Sequence, residues 1–154
     1  MAQDVLFAGT LAWAGHDPAK PFTYESFDRA TRLQFTGGAA LDASAPGQFH
    51  GDDRFANPET LMLGSLMQCH FLTFMAVASK SGATVLAYSD SGSGELGRKD
   101  NGKTGFTSVT LRPKVTFADP AHAAKLAEFH ERAHRNCFMS NSVNFPVTVE
   151  PDLG

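Results

Sequence analysis

Asn57-Pro58-Glu59-Thr60-Leu61-Met62-Leu63-Gly64-Ser65-Leu66-Met67-Gln68-Cys69-His70-Phe71-Leu72-Thr73-Phe74-Met75-Ala76-Val77-Ala78-Ser79 reads as one long helix. Asn57 is a good N-cap, Pro58 suits the first helical position, and Glu59 complements the positive helix end. Gly82 marks the stop just beyond the last turn. Leu61, Met62, Leu63, Leu66, Met67, Phe71, Leu72, Phe74, Met75 and Val77 spread around nearly the whole circumference, and a helix apolar on nearly every side is a buried one.

On the N-terminal side of this helix the pattern changes to strands. Val5–Ala14, Thr23–Phe27 and Thr31–Phe35 are predicted strands, followed by a long Gly-, Ala-, Ser- and Pro-rich loop from Gly37 to Ala56. A loop of this length in a compact domain is functional or packed on a partner. On the C-terminal side, Thr84–Gly94 and Phe106–Phe117 form an expected hairpin around the turn residues Lys99-Asp100-Asn101-Gly102-Lys103, with Pro113 at an edge or bulge. A second helix is expected from Asp119-Pro120 to about Cys137, and a last strand over Phe145–Glu150. Strands, helix, hairpin, helix and strand make an α+β domain over residues 1–154.

Composition bounds the function. The chain has 154 residues, 42% of them hydrophobic, and a net charge of −3 without a basic run, so neither nucleic acid nor an anionic membrane is an expected partner. Val5–Gly15 is apolar, but Asp4 precedes it and no Lys or Arg does, so it reads as a strand and not a secretion signal. Gly64, Ser65, Gln68 and His70 interrupt the best candidate for a membrane span. The expectation is a cytoplasmic protein. Two widely spaced cysteines there are buried thiols, a metal site or a redox pair, not a disulfide framework.

Two motifs decide among these. Asn57-Pro58-Glu59-Thr60-Leu61 followed by Gln68-Cys69-His70 resembles the central helix of the OsmC/Ohr family of organic hydroperoxide reductases, with the cysteine ten positions after the glutamate. Ala133-His134-Arg135-Asn136-Cys137, followed by Asn141-Ser142-Val143-Asn144-Phe145-Pro146-Val147, is similar to that family's second cysteine region. After Cys137 this chain has Phe138-Met139-Ser140 where better-known members tend to have Pro-Val-Ser.

The resemblance implies an OsmC-like fold forming an intertwined homodimer. It implies an organic hydroperoxide substrate, a peroxidatic Cys69, a resolving Cys137, a lipoyl-type dithiol reductant and no bound cofactor. It also implies an assisting Glu59 and an arginine, for which Arg29 and Arg54 are the candidates; a residue on a strand is held more rigidly, which favours Arg29. The chemistry is coherent: a thiolate attacks peroxide, a second thiol converts the sulfenic acid to a disulfide, and a dithiol reduces it. Glu59 and Cys69 lie about 15 Å apart along one helix. If both serve one site, Glu59 comes from the other subunit.

Two other readings stand beside this one. His130-Glu131-Arg132-Ala133-His134 matches the H-E-x-x-H pattern of zinc hydrolases, with Cys137 as a possible third ligand; alternatively His134 and Arg135 complement the helix end while Glu131 faces water. A non-catalytic dimer binding an apolar ligand would use the same Met and Phe residues. His70 points about 100° away from Cys69 on a helix and reads as a hydrogen-bonded core or interface histidine.

Overall fold

In the computed structural model, which describes residues 4–154, the elements run β1 (Gly9–Trp13), β2 (Thr31–Phe35), β3 (Ala40–Ala43), α1 (Pro58–Lys80), β4 (Val85–Asp90), β5 (Ser93–Arg98), β6 (Thr104–Leu111), β7 (Pro113–Phe117), α2 (Leu126–Arg135) and β8 (Val147–Val149). Two compact units divide the chain, Met1–Leu61 and Met62–Gly154.

The first unit is an antiparallel sheet in the order β1-β2-β3, with Leu11 opposite Leu33 and Leu33 opposite Leu41. Two expectations are corrected here. Thr23–Phe27 is not a strand: the Ser26 hydroxyl donates to the Pro21 carbonyl at 2.8 Å and accepts from the Thr23 amide at 3.0 Å, which closes a turn. The expected loop contains β3 and a 3₁₀ turn over Gly47–Phe49. The chain folds so tightly after that turn that a Cβ on Gly51 would overlap the Ala45 carbonyl oxygen, so only glycine fits.

Helix α1 starts and stops where its sequence indicates. The Thr60 amide donates to Asn57 Oδ1 at 2.9 Å and the Asn57 amide to Thr60 Oγ1 at 3.0 Å, a reciprocal cap. At the other end Gly82 takes φ +72°, with the Gly82 amide on the Ser79 carbonyl at 3.1 Å and the Ala83 amide on the Ala78 carbonyl at 2.9 Å. This is a Schellman closure, which needs the left-handed residue that glycine supplies. With 23 residues, α1 is long and apolar enough by length and composition to cross a bilayer, contrary to the sequence expectation. One stripe of it, Leu66, His70, Phe74, Val77 and Ala78, is buried in this chain. The expectation of burial on nearly every side is not met within one chain, since Met62 and Leu72 are exposed.

In the second unit the expected hairpin is present but divided. The Lys99–Lys103 turn joins β5 to β6, with Gly102 at φ +79° and the Lys99 amide on the Lys103 carbonyl at 2.8 Å. At the base, β4 pairs with β7. The break falls at Arg112, whose amide donates to Asp90 Oδ1 at 2.7 Å and whose Nη1 donates to Ser93 Oγ at 2.9 Å. The last strand, β8, adds to β6 in parallel, Val109 opposite Val147. Two apolar clusters fill this unit. Phe74, Val77 and Ala78 of α1 pack with Phe117, Phe129 and Ala133, while Leu66 packs with Val109 and Leu111. The second helix begins as a 3₁₀ stretch, Pro120–Lys125, capped by the Asp119 side chain on the Ala121 amide at 2.9 Å, and becomes α-helical at Leu126.

Candidate active site

Midway along α1, the half-buried Cys69 faces a cavity of about 530 Å³. Leu72, Ala76 and Val77 of α1 line it together with Arg132 of α2, Asn136 and Phe138. Cys137 follows α2 and is fully buried. The asparagines of the second cysteine motif explain its position. Asn136 Nδ2 donates to the Arg132 carbonyl at 2.8 Å, adding to the Asn136 amide's own bond there, and Asn141 Nδ2 donates to the Arg135 carbonyl at 3.3 Å, an orphan of the helix end. The Asn141 amide then closes on the Cys137 carbonyl at 3.0 Å. This tied turn brings the Cys137 thiol to Cys69. Burial pushes the Cys137 thiol up; the hydroxyl and amide of Ser140 oppose that rise, and Cys69 beside it adds to it.

The H-E-x-x-H residues do not converge on a metal, which corrects the zinc reading. Glu131 lies on the exposed face of α2 and pairs with Arg135 at 3.0 Å. His130 points into the core, where its Nδ1 lies 3.0 Å from His70 Nε2. The two rings meet edge to edge and nearly coplanar, with centroids 5.3 Å apart and planes 10° apart, and Phe74 stacks on the face of His130 at 4.3 Å. Among the described residues no three His, Cys, Asp or Glu side chains are placed to hold a metal ion. Burial lowers His70 to about 4, with His134 adding to the effect, and lowers His130 to about 3, with His70 adding to it. Both are neutral imidazoles. His70 is thus the hydrogen-bonded core histidine that its helical position indicates.

The remaining sequence candidates lie in the first unit. Glu59 is the second residue of α1, and its Oε2 is buried with no hydrogen-bond partner. The helix between it and Cys69 is unbroken, so the two stay about 15 Å apart along the axis. Arg29 lies with its guanidinium 3.9 Å over the Phe27 ring and 5.1 Å from that of Tyr24. Its Nη1 donates to the Phe27 carbonyl at 2.9 Å and its Nη2 to the Tyr24 carbonyl; among the described residues no carboxylate pairs with it. It borders an aromatic cavity of about 620 Å³ with Trp13, Phe22, Phe49 and Pro58. Arg54 is exposed and committed to Asp52, at 2.6 Å from Nη2, and holds that carboxyl well below the usual range. Sequence reasoning missed the cations at the Cys69 cavity, Lys80 at the end of α1 and Arg132, which lies 3.6 Å from Glu128. No local signal marks them, because their place at the cavity depends on how α2 packs on α1.

A half-buried thiol at the mouth of an apolar cavity, with a second thiol sealed behind it, defines a class: an α+β protein built to hold two thiols together. The family model for OsmC-like proteins matches residues 51–152. An OsmC-like protein of unknown function from Vibrio cholerae is 31% identical, covers 96% of this chain and 99% of its own, and superposes with a TM-score of 0.89. An organic hydroperoxide resistance protein from Elizabethkingia anophelis is 18% identical over 99% of both chains, with a TM-score of 0.75. The organic hydroperoxide resistance protein OhrB of Bacillus subtilis is 19% identical over 94% of this chain and 98% of its own, with a TM-score of 0.66. No curated protein matches. The chain belongs to the OsmC-like family, and its α+β architecture is the OsmC-like fold expected from the two cysteine motifs.

Proposed function

We propose that the protein is a thiol peroxidase that reduces organic hydroperoxides to alcohols in the cytoplasm. The observation that carries this reading is the pairing of Cys69, open to an apolar cavity, with the sealed Cys137. The Cys69 thiolate attacks the terminal peroxide oxygen; the O–O bond breaks, a sulfenic acid forms and the alkoxide leaves as alcohol after taking a proton. The Cys137 sulfur then attacks the Cys69 sulfur, the S–O bond breaks, and hydroxide departs as water with the thiol proton. A dithiol, lipoyl-type by resemblance to the family, returns both thiols by exchange and is itself oxidised. The apolar lining of Leu72, Ala76, Val77 and Phe138 suits an organic substrate over hydrogen peroxide. The family resemblance agrees with this chemistry, and the names of two structural relatives agree with a role toward organic hydroperoxides.

In this reading the protein works as a homodimer. Glu59 of one copy reaches the Cys69 site of the other and holds the Arg29 guanidinium, which stabilises the thiolate. The orphan Glu59 oxygen and the acid-free Arg29 support it, as do the exposed Met62 and Leu72 on α1. Purified protein is expected to consume an aromatic hydroperoxide with a dithiol as reductant, and Cys69→Ser to lose all turnover. Absence of turnover in the wild type with both thiols reduced and several dithiols tried would overturn the peroxidase reading. Turnover that survives in Cys69→Ser would overturn the role of that thiol.

A further inference from the structure

The buried histidine pair is left unused by this chemistry, and it costs the fold something. His70 is 0% and His130 2% exposed, and His70 Nδ1 and His130 Nε2 have no hydrogen-bond partner. Buried polar atoms without partners are destabilising, and a well-packed apolar pair of similar volume avoids that penalty. What an apolar pair does not supply is register. Leucines tolerate a helix sliding or rotating by a fraction of an ångström, whereas an N–H···N bond at 3.0 Å fixes both distance and direction. A single buried polar contact that sets register at a cost in stability is an established device.

The placement of this pair relates directly to the thiols. His70 is the residue after Cys69 on α1, and His130 lies on α2, two helical turns before Cys137. Phe74, one turn past His70, stacks on a face of the His130 ring. The contact therefore ties the α1 turn carrying Cys69 to the helix that delivers Cys137. We infer that the His70–His130 contact is the pin that sets the Cys69–Cys137 separation and that His70 and His130 are positioning residues for disulfide formation. This rests on the thiol-pair reading of the site, and makes no claim on the peroxide-reducing step. Burial keeps both rings neutral, so one donates and the other accepts.

The test measures the pin apart from peroxide chemistry. Reduced full-length protein is equilibrated with dithiothreitol and its oxidised form, and the Cys69–Cys137 disulfide is quantified by alkylating the remaining thiols. In this exchange the protein dithiol loses two electrons and two protons to the oxidised reagent. His130→Leu is expected to lower the equilibrium constant for the disulfide by about tenfold, because loosening the helix contact lowers the effective concentration of one thiol at the other. For a two-electron couple that is a rise in reduction potential of about 30 mV. His130→Asn, which places a polar atom where Nδ1 sits, is expected to restore most of it; His130→Gln, equally polar but longer, is not. A wild-type equilibrium in folded His130→Leu would overturn the inference, as would equal behaviour of the Asn and Gln variants, and the latter comparison holds even if the Leu variant fails to fold. Single-turnover sulfenic acid formation by an organic hydroperoxide should stay within about twofold of wild type in His130→Asn. Wild-type protein that forms no sulfenic acid, while its disulfide equilibrium still responds to His130, would sink the peroxidase reading and leave the pin standing.

Discussion

The two arginines named from the sequence have different fates, and the difference is one of commitment. Arg54 makes a bidentate contact to Asp52 at the surface, so its charge is already spent on a carboxylate in water. Arg29 is half-buried, stacked on two aromatic rings and oriented by two backbone carbonyls, and among the described residues no acid pairs with it. A guanidinium placed this way keeps its electrostatic effect, because no reorganisation is needed when an anion arrives. Arg29→Ala should therefore slow the reaction of reduced protein with an organic hydroperoxide by on the order of 10²-fold, with Arg54→Ala close to wild type. Stopped-flow measurement of single-turnover thiol oxidation separates the two. A slow Arg54→Ala beside a normal Arg29→Ala would reverse the assignment. Lysine at position 29 should not rescue, since a point ammonium cannot reproduce the planar stack and paired donors.

At the scale of elements, the α1–α2 contact makes the protein sensitive to acid. His70 and His130 titrate near 4 and 3 in the fold, against 6.5 for an unperturbed histidine. As pH falls below about 6.5 the unfolded chain takes up protons that the folded chain refuses, so stability is complete above that pH and declines from there down to about 3. The melting temperature should fall between pH 7 and pH 4.5, and His70→Leu/His130→Leu should flatten that fall. Equal slopes in the two proteins would show that other groups carry the effect. Neither this contact nor the cavity beside it was legible in the sequence, because helix crossing is set by packing and not by local pattern. What was legible carries local chemistry. Asn57, Pro58 and Gly82 bounded α1 because caps are decided by single residues. Ala40-Leu41-Asp42-Ala43 was missed because none of these residues favours a strand, and it becomes one by pairing with β2. Tyr24 and Phe27 imitated a strand while serving as the platform for Arg29.

For the whole molecule, the first unit poses a question that one chain does not answer. Among its described residues only Ala43 and Ser44 are buried, while Leu11, Trp13 and Phe35 of its sheet stand exposed. Apolar area of that kind on a three-stranded sheet belongs against another surface. The same chain leaves Glu59 Oε2 buried without a partner, about 15 Å along the helix from the thiol it would serve. In the proposed homodimer a second copy would answer both, by covering the sheet and bringing Glu59 to the partner's site. The motifs located the cysteines and Glu59 in the sequence, and their helical spacing already assigned them to different copies if both serve one site; the unbroken helix keeps that spacing. Glu59→Gln and Cys69→Ser homodimers should each be nearly inactive, the first for want of an acid and the second of a nucleophile. After the two are mixed, unfolded and refolded together, the hybrid dimer contains one site with Cys69 from one chain and Glu59 from the other. Peroxide turnover should then reappear, approaching one active site per hybrid dimer, and should track the hybrid fraction measured by native mass spectrometry. Hybrids that form but stay inactive would place Glu59 outside the partner's site.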